Sequence, residues 1–411
     1  MWKSSRSFSQ NISRIIVLLF VISTFFFQKL QTILIICLLL TLIKDHASKD
    51  EIRYRLNWKN SSVWFLALFV FHLIGITYSK NITFGLADVS MKLSFLAFPF
   101  YFIFIKNFNK TRLMDLISFI GSLSVLACIG KAYYTFVVDD FNVLSTDSEF
   151  SLFMHRGYQA IYWSIGVLWS VYSVLSKRKH KWGHLILTVI LMAGVFLTYS
   201  KAGILMLTIS FFFIFVLLIR KYKKLKLAVL SVVGLVLLSL LINAITPRPL
   251  ARFKVMANTL LEQSSKNEVN ENDSNSQRLL MWETSIELLK ENPLVGVGTG
   301  DVKDVLKQRN REKGLEHLVE LNLNSHNQFL TLGVALGGIG MLLLILLVFT
   351  AFVYGCLVSG DLWIHRLIML GIFLFFLTES AFETQAGVVF FTFLIGLISF
   401  KQAREVHKQV S

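Results

Sequence analysis

Charge is sparse in this chain: 16% of its 411 residues are Asp, Glu, Lys or Arg, against 55% hydrophobic residues and a mean hydropathy of +0.62. A soluble domain exposes far more charge, so that class is excluded and an integral membrane protein is indicated. Cysteine is scarce as well. Cys37, Cys128 and Cys356 lie in or beside apolar runs with no paired spacing, which indicates neither a disulfide framework nor a zinc site. Near the N-terminus, Phe25-Phe26-Phe27-Gln28 offers no small-residue cleavage site, so the first apolar run is expected to be retained. No basic stripe interleaved with aromatics occurs outside the apolar runs. The net charge of +16 is therefore read as a topology signal and an attraction to anionic lipid, with no nucleic-acid partner.

What is present is a series of apolar runs, at about 12–27, 30–43, 60–78, 88–105, 113–136, 159–176, 184–199, 202–219, 227–246, 327–354, 363–378 and 384–400. Most approach the ~20 residues that a helix needs to cross the hydrocarbon layer, where backbone groups must be satisfied internally. The expected fold is an all-α polytopic membrane protein of about 12 transmembrane helices. Residues 12–43 read either as two short spans or as one broken, re-entrant element. The layout is residues 1–246 as spans one to nine, 247–326 as a large extramembrane loop with short helices, and 327–411 as spans ten to twelve with a tail.

Lysine and arginine set the orientation. With both ends inside, the inner segments carry 24 of the 41 basic residues, while the short outer loops and outer span ends hold Lys29, Lys80, Lys92, Lys131, Arg156 and Lys201. The large loop is then periplasmic. Its stretch from Glu262 to Ser276 is polar and is expected to be mobile. A capping-box pattern at Ser274 and Gln277 predicts a helix whose apolar stripe, Leu279, Trp282, Ile286 and Leu289, lies on the membrane domain. Asn292-Pro293 ends it. The following Gly296-Val297-Gly298-Thr299-Gly300-Asp301 lacks the terminal Gly-Lys-Ser/Thr of a Walker loop and the preceding strand of a dinucleotide site. A plain turn is the preferred reading, with Asp301 capping a second helix that ends near Gly314. A backbone nest on an anion is the other reading.

Candidate chemistry gathers at the outer end of the spans. Lys92, Lys131, Arg156, Lys201, Arg278 and His326 fall there together with Glu379 and Glu383, and cations converging on one face describe a pocket for a polyanion. Snorkelling to the interface is the plain alternative for any single lysine, favoured for Lys80 and evenly balanced for Lys131. Lys201 follows Ser200 at a helix N-terminus, where a second positive charge is unfavourable unless an anion sits there too. Arg278, in the first turn of the outer helix, brings a fork suited to phosphate. His326 sits in Asn324-Ser325-His326-Asn327-Gln328-Phe329, where the loop meets a long apolar run. Positive potential at that helix start is expected to keep its imidazole neutral and able to take a proton. Asp139-Asp140 and Asp147-Ser148-Glu149 look more like a solvated acidic loop than metal ligands, so no metal or other cofactor is expected.

Three segments taken together resemble the O-antigen ligase and polymerase superfamily, also called Wzy-C: Ser200-Lys201-Ala202-Gly203, then SQRLLMWETSIELLKENPLVGVGTGD, then NSHNQFLTLGVALGGIG. His155-Arg156-Gly157-Tyr158-Gln159 is similar to the family's sixth-span start, and Lys92 within KLSFLAFPF to its fourth span; TESAFETQAG resembles the tail of Bacteroidetes-type members. The resemblance implies a GT-C-like glycosyltransferase that moves a glycan from undecaprenyl diphosphate to an acceptor hydroxyl on the periplasmic face, inverting the anomeric centre without a metal. By matching positions it implies His326 as base or acceptor-positioning residue and Lys201 and Arg278 on the diphosphate; Arg156 is read as joining the diphosphate set, and Lys92, Asn324, Asn327 and Gln328 as positioning substrate. The family commonly has Ser-Arg where Ser200-Lys201 stands, so the fork is lost at that site. Joining O-antigen to lipid A-core is the first reading, in the bacterial inner membrane. A Wzy-type polymerase and a protein O-oligosaccharyltransferase differ from it only in acceptor. A lipid or solute transporter is disfavoured because no convincing internal repeat is found and the polar residues avoid the midplane.

Overall fold

The computed structural model describes residues 8–43, 45–138, 150–220, 223, 225, 226, 229, 233, 234 and 274–401. Most of the ninth span expected at 227–246, the polar stretch from Glu262 to Asp273, and the acidic residues Asp139, Asp140, Asp147 and Glu149 lie outside the described residues. Among the described residues the regular structure is helical: α1 Phe8–Phe26, α2 Gln31–Thr41, α3 Lys49–Arg55, α4 Ser61–Thr77, α5 Ile82–Met91, α6 Ser94–Phe104, α7 Lys110–Val138, α8 Arg156–Leu175, α9 Lys181–Leu197 and α10 Lys201–Arg220. After these come α11 Ser274–Glu291, α12 Val302–Glu312, α13 Glu316–Glu320, α14 Gln328–Tyr354, α15 Leu362–Thr378 and α16 Gln385–Ser399.

Among the described residues, four helical stretches are long and apolar enough to cross a bilayer: Ile82–Phe104, Lys110–Val138, Lys201–Arg220 and Gln328–Tyr354. Six shorter apolar helices of 10–17 residues accompany them. Residues 12–43 form two helices, α1 and α2, joined by a 3-10 turn at Gln28–Leu30 and packed on each other. The expected span at 88–105 is interrupted, because α5 stops at Met91 and α6 starts at Ser94, leaving Lys92 at the break.

The chain divides into two compact units, Met1–Lys110 with Glu268–Ser411, and Thr111–Asn267. In the first, phenylalanines hold the helices together. Phe20, Phe98 and Phe393 join α1, α6 and α16 with ring centroids 4.7–5.5 Å apart. Phe382, fully buried, sits 4.8 Å from Phe95 and 5.0 Å from Phe376. Edge-to-face rings of this kind add to the burial of their large apolar surface. Phe382 belongs to the 3-10 turn Ala381–Glu383 between α15 and α16, so this packing fixes the short segment that carries Glu379 and Glu383.

The glycine turn serves α14. That helix breaks at Gly337, with φ 65° and ψ −155°, and the break exposes carbonyls that a membrane interior cannot solvate. Val297 and Gly298 donate their N–H groups to Val334 and Ala335 at 2.9 and 3.0 Å, while Gly338 N–H reaches the Pro293 carbonyl at 2.7 Å. A Cβ at Gly337 would lie 2.3 Å from the Leu294 carbonyl carbon and oxygen, so only glycine fits here. The turn reading holds, and its work is to satisfy the backbone of a broken helix.

Two local expectations are corrected. Asp301 does stand at the N-cap of α12 but makes no side-chain cap there. Its carboxylate instead accepts from Lys80 N–H at 2.9 Å and Asn81 N–H at 2.8 Å, tying the α4–α5 turn to the loop. In α11 the buried face is Ser276, Met281, Thr284, Ser285 and Leu288, and Ile286 is 41% exposed. The helix is rotated about its axis from the expected stripe because small hydroxyl residues make the close contacts: Thr284 Oγ1 donates to Asn310 Oδ1 at 3.0 Å, and Ser285 Oγ bonds Ser325 Oγ at 2.8 Å. Leu289 of the expected stripe does reach Gly333 of α14.

In the second unit α8 is enclosed almost along its whole length. Trp163 and Trp169 are fully buried, and each indole N–H finds a partner, Ser124 Oγ at 2.8 Å and Asp115 Oδ1 at 2.7 Å on α7. Cys128 on α7 and Cys356 in the first unit are buried free thiols, and Cys37 is partly exposed.

Candidate active site

His326 occupies the residue before the α14 N-cap. Asn327 is the cap, and its Oδ1 accepts from Phe329 and Leu330 N–H at 2.9 and 3.1 Å, neutralising donors that every helix start leaves open. The Asn327 amide also donates to the Leu377 carbonyl at 3.1 Å, locking the start of α14 to the end of α15. His326 has φ 44°, the left-handed region, which costs a non-glycine residue on the order of 1–3 kcal/mol. Asn324 Oδ1 holds the turn by accepting the His326 N–H at 2.9 Å.

That backbone posture sends the ring to Glu379. His326 Nδ1 lies 3.1 Å from Glu379 Oε2, and the other oxygen of the same carboxylate takes a hydrogen bond from Arg278 Nη2. Arg278 Nη1 donates to the Thr378 carbonyl at 3.0 Å. Arg278, Glu379 and His326 therefore form one chain from α11 through the end of α15 to the mouth of α14. The side chains are 33%, 11% and 24% exposed, so the carboxylate is the most shielded member and both nitrogen-bearing groups keep an accessible edge. When Nδ1 donates to the carboxylate, the neutral ring presents the Nε2 lone pair outward.

Gln328 is fully buried, and its Oε1 accepts the Phe382 N–H at 2.6 Å. It thus holds the turn between the two glutamates. Glu383 closes a second cluster. Lys92 is 1% exposed, with its Nζ 2.5 Å from Asp88 and 3.2 Å from Glu383. Burial pushes the Glu383 carboxyl above its ordinary value, against the opposing pull of Lys92. Beside this cluster is a cavity of about 80 Å³ lined by His72, Asp88, Lys92, Thr299, Asn324 and Glu383, among others. It has room for several waters.

Arg156 and Lys201 lie in the second unit. Each is the first residue of its helix, α8 and α10. His155 caps α8 through Nδ1, 3.4 Å from Gly157 N–H, and Ser200 Oγ accepts the Gly203 N–H at 3.3 Å. Gly203 packs on Ala160, where a Cβ would come within 2.6 Å of the alanine methyl. The two helix starts are therefore at the same end of this unit, and both cations with them. Lys131 is exposed on α7.

The structure accordingly joins Arg278 with His326, places Asn324, Asn327 and Gln328 around them, and puts Lys92 beside the adjoining cavity. The Glu379 link was missed by sequence reasoning as a functional contact, although the residue had been noted at the outer end. Its partner is 53 positions away, and no local spacing reports such a pair. For Asp88 a signal did exist, the i,i+4 spacing to Lys92 on a helix. Among the described residues no group of three or more His, Cys, Asp or Glu could hold a metal ion.

No curated protein matches the chain significantly. A family model described as Wzy_C, O-antigen ligase, matches residues 186–345. That stretch contains Lys201, Arg278, Asn324, His326, Asn327 and Gln328, and ends before Glu379. The Wzy_C match spans the histidine and the outer-helix arginine, so residues 186–345 are similar to the O-antigen ligase family.

Proposed function

We propose that the protein transfers an O-antigen polysaccharide from undecaprenyl diphosphate to a hydroxyl of lipid A-core, on the periplasmic face of the bacterial inner membrane. The observation that carries this reading is the Arg278–Glu379–His326 chain, lying within and beside a segment matched as O-antigen ligase. The family supports glycan transfer in a membrane setting; donor, acceptor and cellular membrane are our assignment.

In the proposed reaction the acceptor oxygen attacks the anomeric carbon from the face opposite the diphosphate, and the configuration inverts. His326 Nε2 takes the hydroxyl proton as the new C–O bond forms. Glu379 holds the ring and stabilises the imidazolium that results, as carboxylate partners of basic histidines do. The bond between the anomeric carbon and the phosphate oxygen breaks, and the diphosphate leaves with the electron pair. Arg278, Lys201 and Arg156 are assigned to its negative charge, a role that fixed cations fill without a metal. Lys92, Asn324, Asn327 and Gln328 are assigned to the shape of the acceptor side, the last two through the backbone they hold.

The test is a purified-protein assay with lipid-diphosphate glycan as donor and lipid A-core as acceptor, in detergent, without any gradient. Product formation is expected. Absence of product, with transport of the donor in sealed vesicles instead, would remove the enzyme reading. A cell lacking the protein should accumulate long lipid-linked polymer that never reaches lipopolysaccharide. If that cell instead makes lipopolysaccharide capped with one repeat, the acceptor is a growing chain and the protein is a polymerase.

A further inference from the structure

A cavity of the first unit lies at the end of α4, α14 and α16 remote from His326. It has a volume of about 480 Å³ and is lined by Tyr54, Trp58, Lys59, Asn60, Tyr354 and Lys401, among others. Asn60 caps the start of α4, Tyr354 ends α14, and Ser399, which ends α16, also lines it. The candidate active site is at the opposite ends of α14 and α16, roughly 25 Å away along the 17 residues of α4 at 1.5 Å each.

Among the described residues its lining contains three cations, Arg55, Lys59 and Lys401, and no carboxylate. Arg55 is fully buried behind the wall, spent on the carbonyls of Ile103 and Ile105 at 3.0 and 2.6 Å and of Lys401 at 3.1 Å. Lys59 Nζ stands 5.6 Å from the ring centres of both Trp58 and Tyr354. Lys401 Nζ donates to the Tyr354 carbonyl at 2.7 Å. Positive charge gathered in a partly enclosed space favours an anion. The neighbouring surface says which kind: Leu56 and Trp58 are 50% and 55% exposed, at the level where apolar helices end and Trp and Tyr meet lipid headgroups.

We propose that this pocket binds the phosphodiester headgroup of an anionic phospholipid in the leaflet opposite the candidate active site. Lys59 and Lys401 hold the phosphate, Asn60 takes a glycerol hydroxyl, and Trp58 and Leu56 cover the first acyl carbons. The site stands whatever reaction the protein performs.

The full-length protein is loaded into nanodiscs of mixed phosphatidylglycerol and phosphatidylcholine, released, and weighed by native mass spectrometry to count retained lipids. Phosphatidylglycerol should be retained in preference to phosphatidylcholine, and Lys59→Gln with Lys401→Gln should reduce that preference roughly tenfold or more. Lys59→Arg should restore most of it. Equal retention of the two lipids by the wild-type protein overturns the proposal, and so does an unchanged preference in the double variant. Because the wild-type comparison needs no variant, a folding defect in Lys59→Gln/Lys401→Gln leaves a decisive result. Displacement of the lipid by an equal concentration of glycerol phosphate would overturn the lipid assignment in favour of a soluble phosphate.

Discussion

Replacing Glu379 by Gln keeps the shape of the side chain and removes only its charge, so it isolates what the carboxylate does for His326. In the native arrangement the 3.1 Å contact from Nδ1 is charge-assisted, and such bonds contribute about 1.5–3 kcal/mol. His326 and Arg278 are 24% and 33% exposed, so solvent screening places the effect toward the lower end, at about 1.5–2 kcal/mol. At 1.36 kcal/mol per factor of ten, kcat should fall roughly 10- to 30-fold. Arg278 would keep its bond to the Thr378 carbonyl and be freed from a competing anion, so the donor KM should stay level or fall. A merely structural glutamate predicts a different pattern, with kcat and KM worsening together and thermal stability lost. The assay is steady-state transfer from the lipid-diphosphate donor, alongside a melting curve of the purified variant. Unchanged kcat in a folded Glu379→Gln protein would refute the argument that this carboxylate orients the base.

Other outcomes follow from the same structure. Gly337→Ala forces a side chain into the left-handed region and against Leu294; it should destabilise the protein by about 3 kcal/mol or more, read as a lower melting temperature. Asp301→Ala removes the acceptor for two backbone N–H groups and should cost about 2–4 kcal/mol in the same measurement. Lys201→Arg should retain donor affinity, whereas Lys201→Ala should weaken it; equal donor affinity in Lys201→Ala would reduce that lysine to an interfacial role. The hydrogen bond and charge of Lys313 hold Glu287 below its ordinary value of 4.5, with Arg309 adding to the effect. A depressed carboxylate stabilises the folded form above its unfolded pKa and ceases to do so as pH falls through the folded one. Hydrogen exchange along α12 should therefore speed up below about pH 4.5, and exchange independent of pH from 6 to 3.5, after correction for intrinsic rates, would contradict the linkage.

Much of this is legible in the sequence. Composition alone identified a membrane protein, and the Ser274 helix, the turn at Gly296 to Asp301 and the second helix stand where punctuation by Pro293, Gly296 and Asp301 put them. His326 was singled out because a polar run meeting an apolar one marks a helix mouth. Charge balance was not legible. Counting cations by side of the membrane made Lys92 and Arg278 look like free positive charge, yet Lys92 is buried between two carboxylates and Arg278 shares Glu379 with the histidine. The pairs with Glu379 and Glu383 are tertiary, made by packing the end of α15 and its following turn against α11, α14 and the α5–α6 break, and a one-dimensional pattern carries no record of them; only Asp88, four residues before Lys92, left a local signal. The face of α11 was misread for a related reason, since hydrophobic periodicity weighs Leu and Ile while close helix contacts were made here by Thr284 and Ser285. The break in α14 had its clue in Gly337-Gly338, but why a broken helix is tolerable became clear only from the partner N–H groups of Val297 and Gly298.

His326, held by Glu379, is proposed to remove the acceptor proton. Single-turnover transfer with donor pre-bound to purified His326→Gln protein tests it most directly, because binding is excluded from the measurement. The donor should still bind, and transfer should slow at least ~100-fold, in the range by which general bases accelerate such steps. Transfer at the wild-type rate by the folded variant would contradict it.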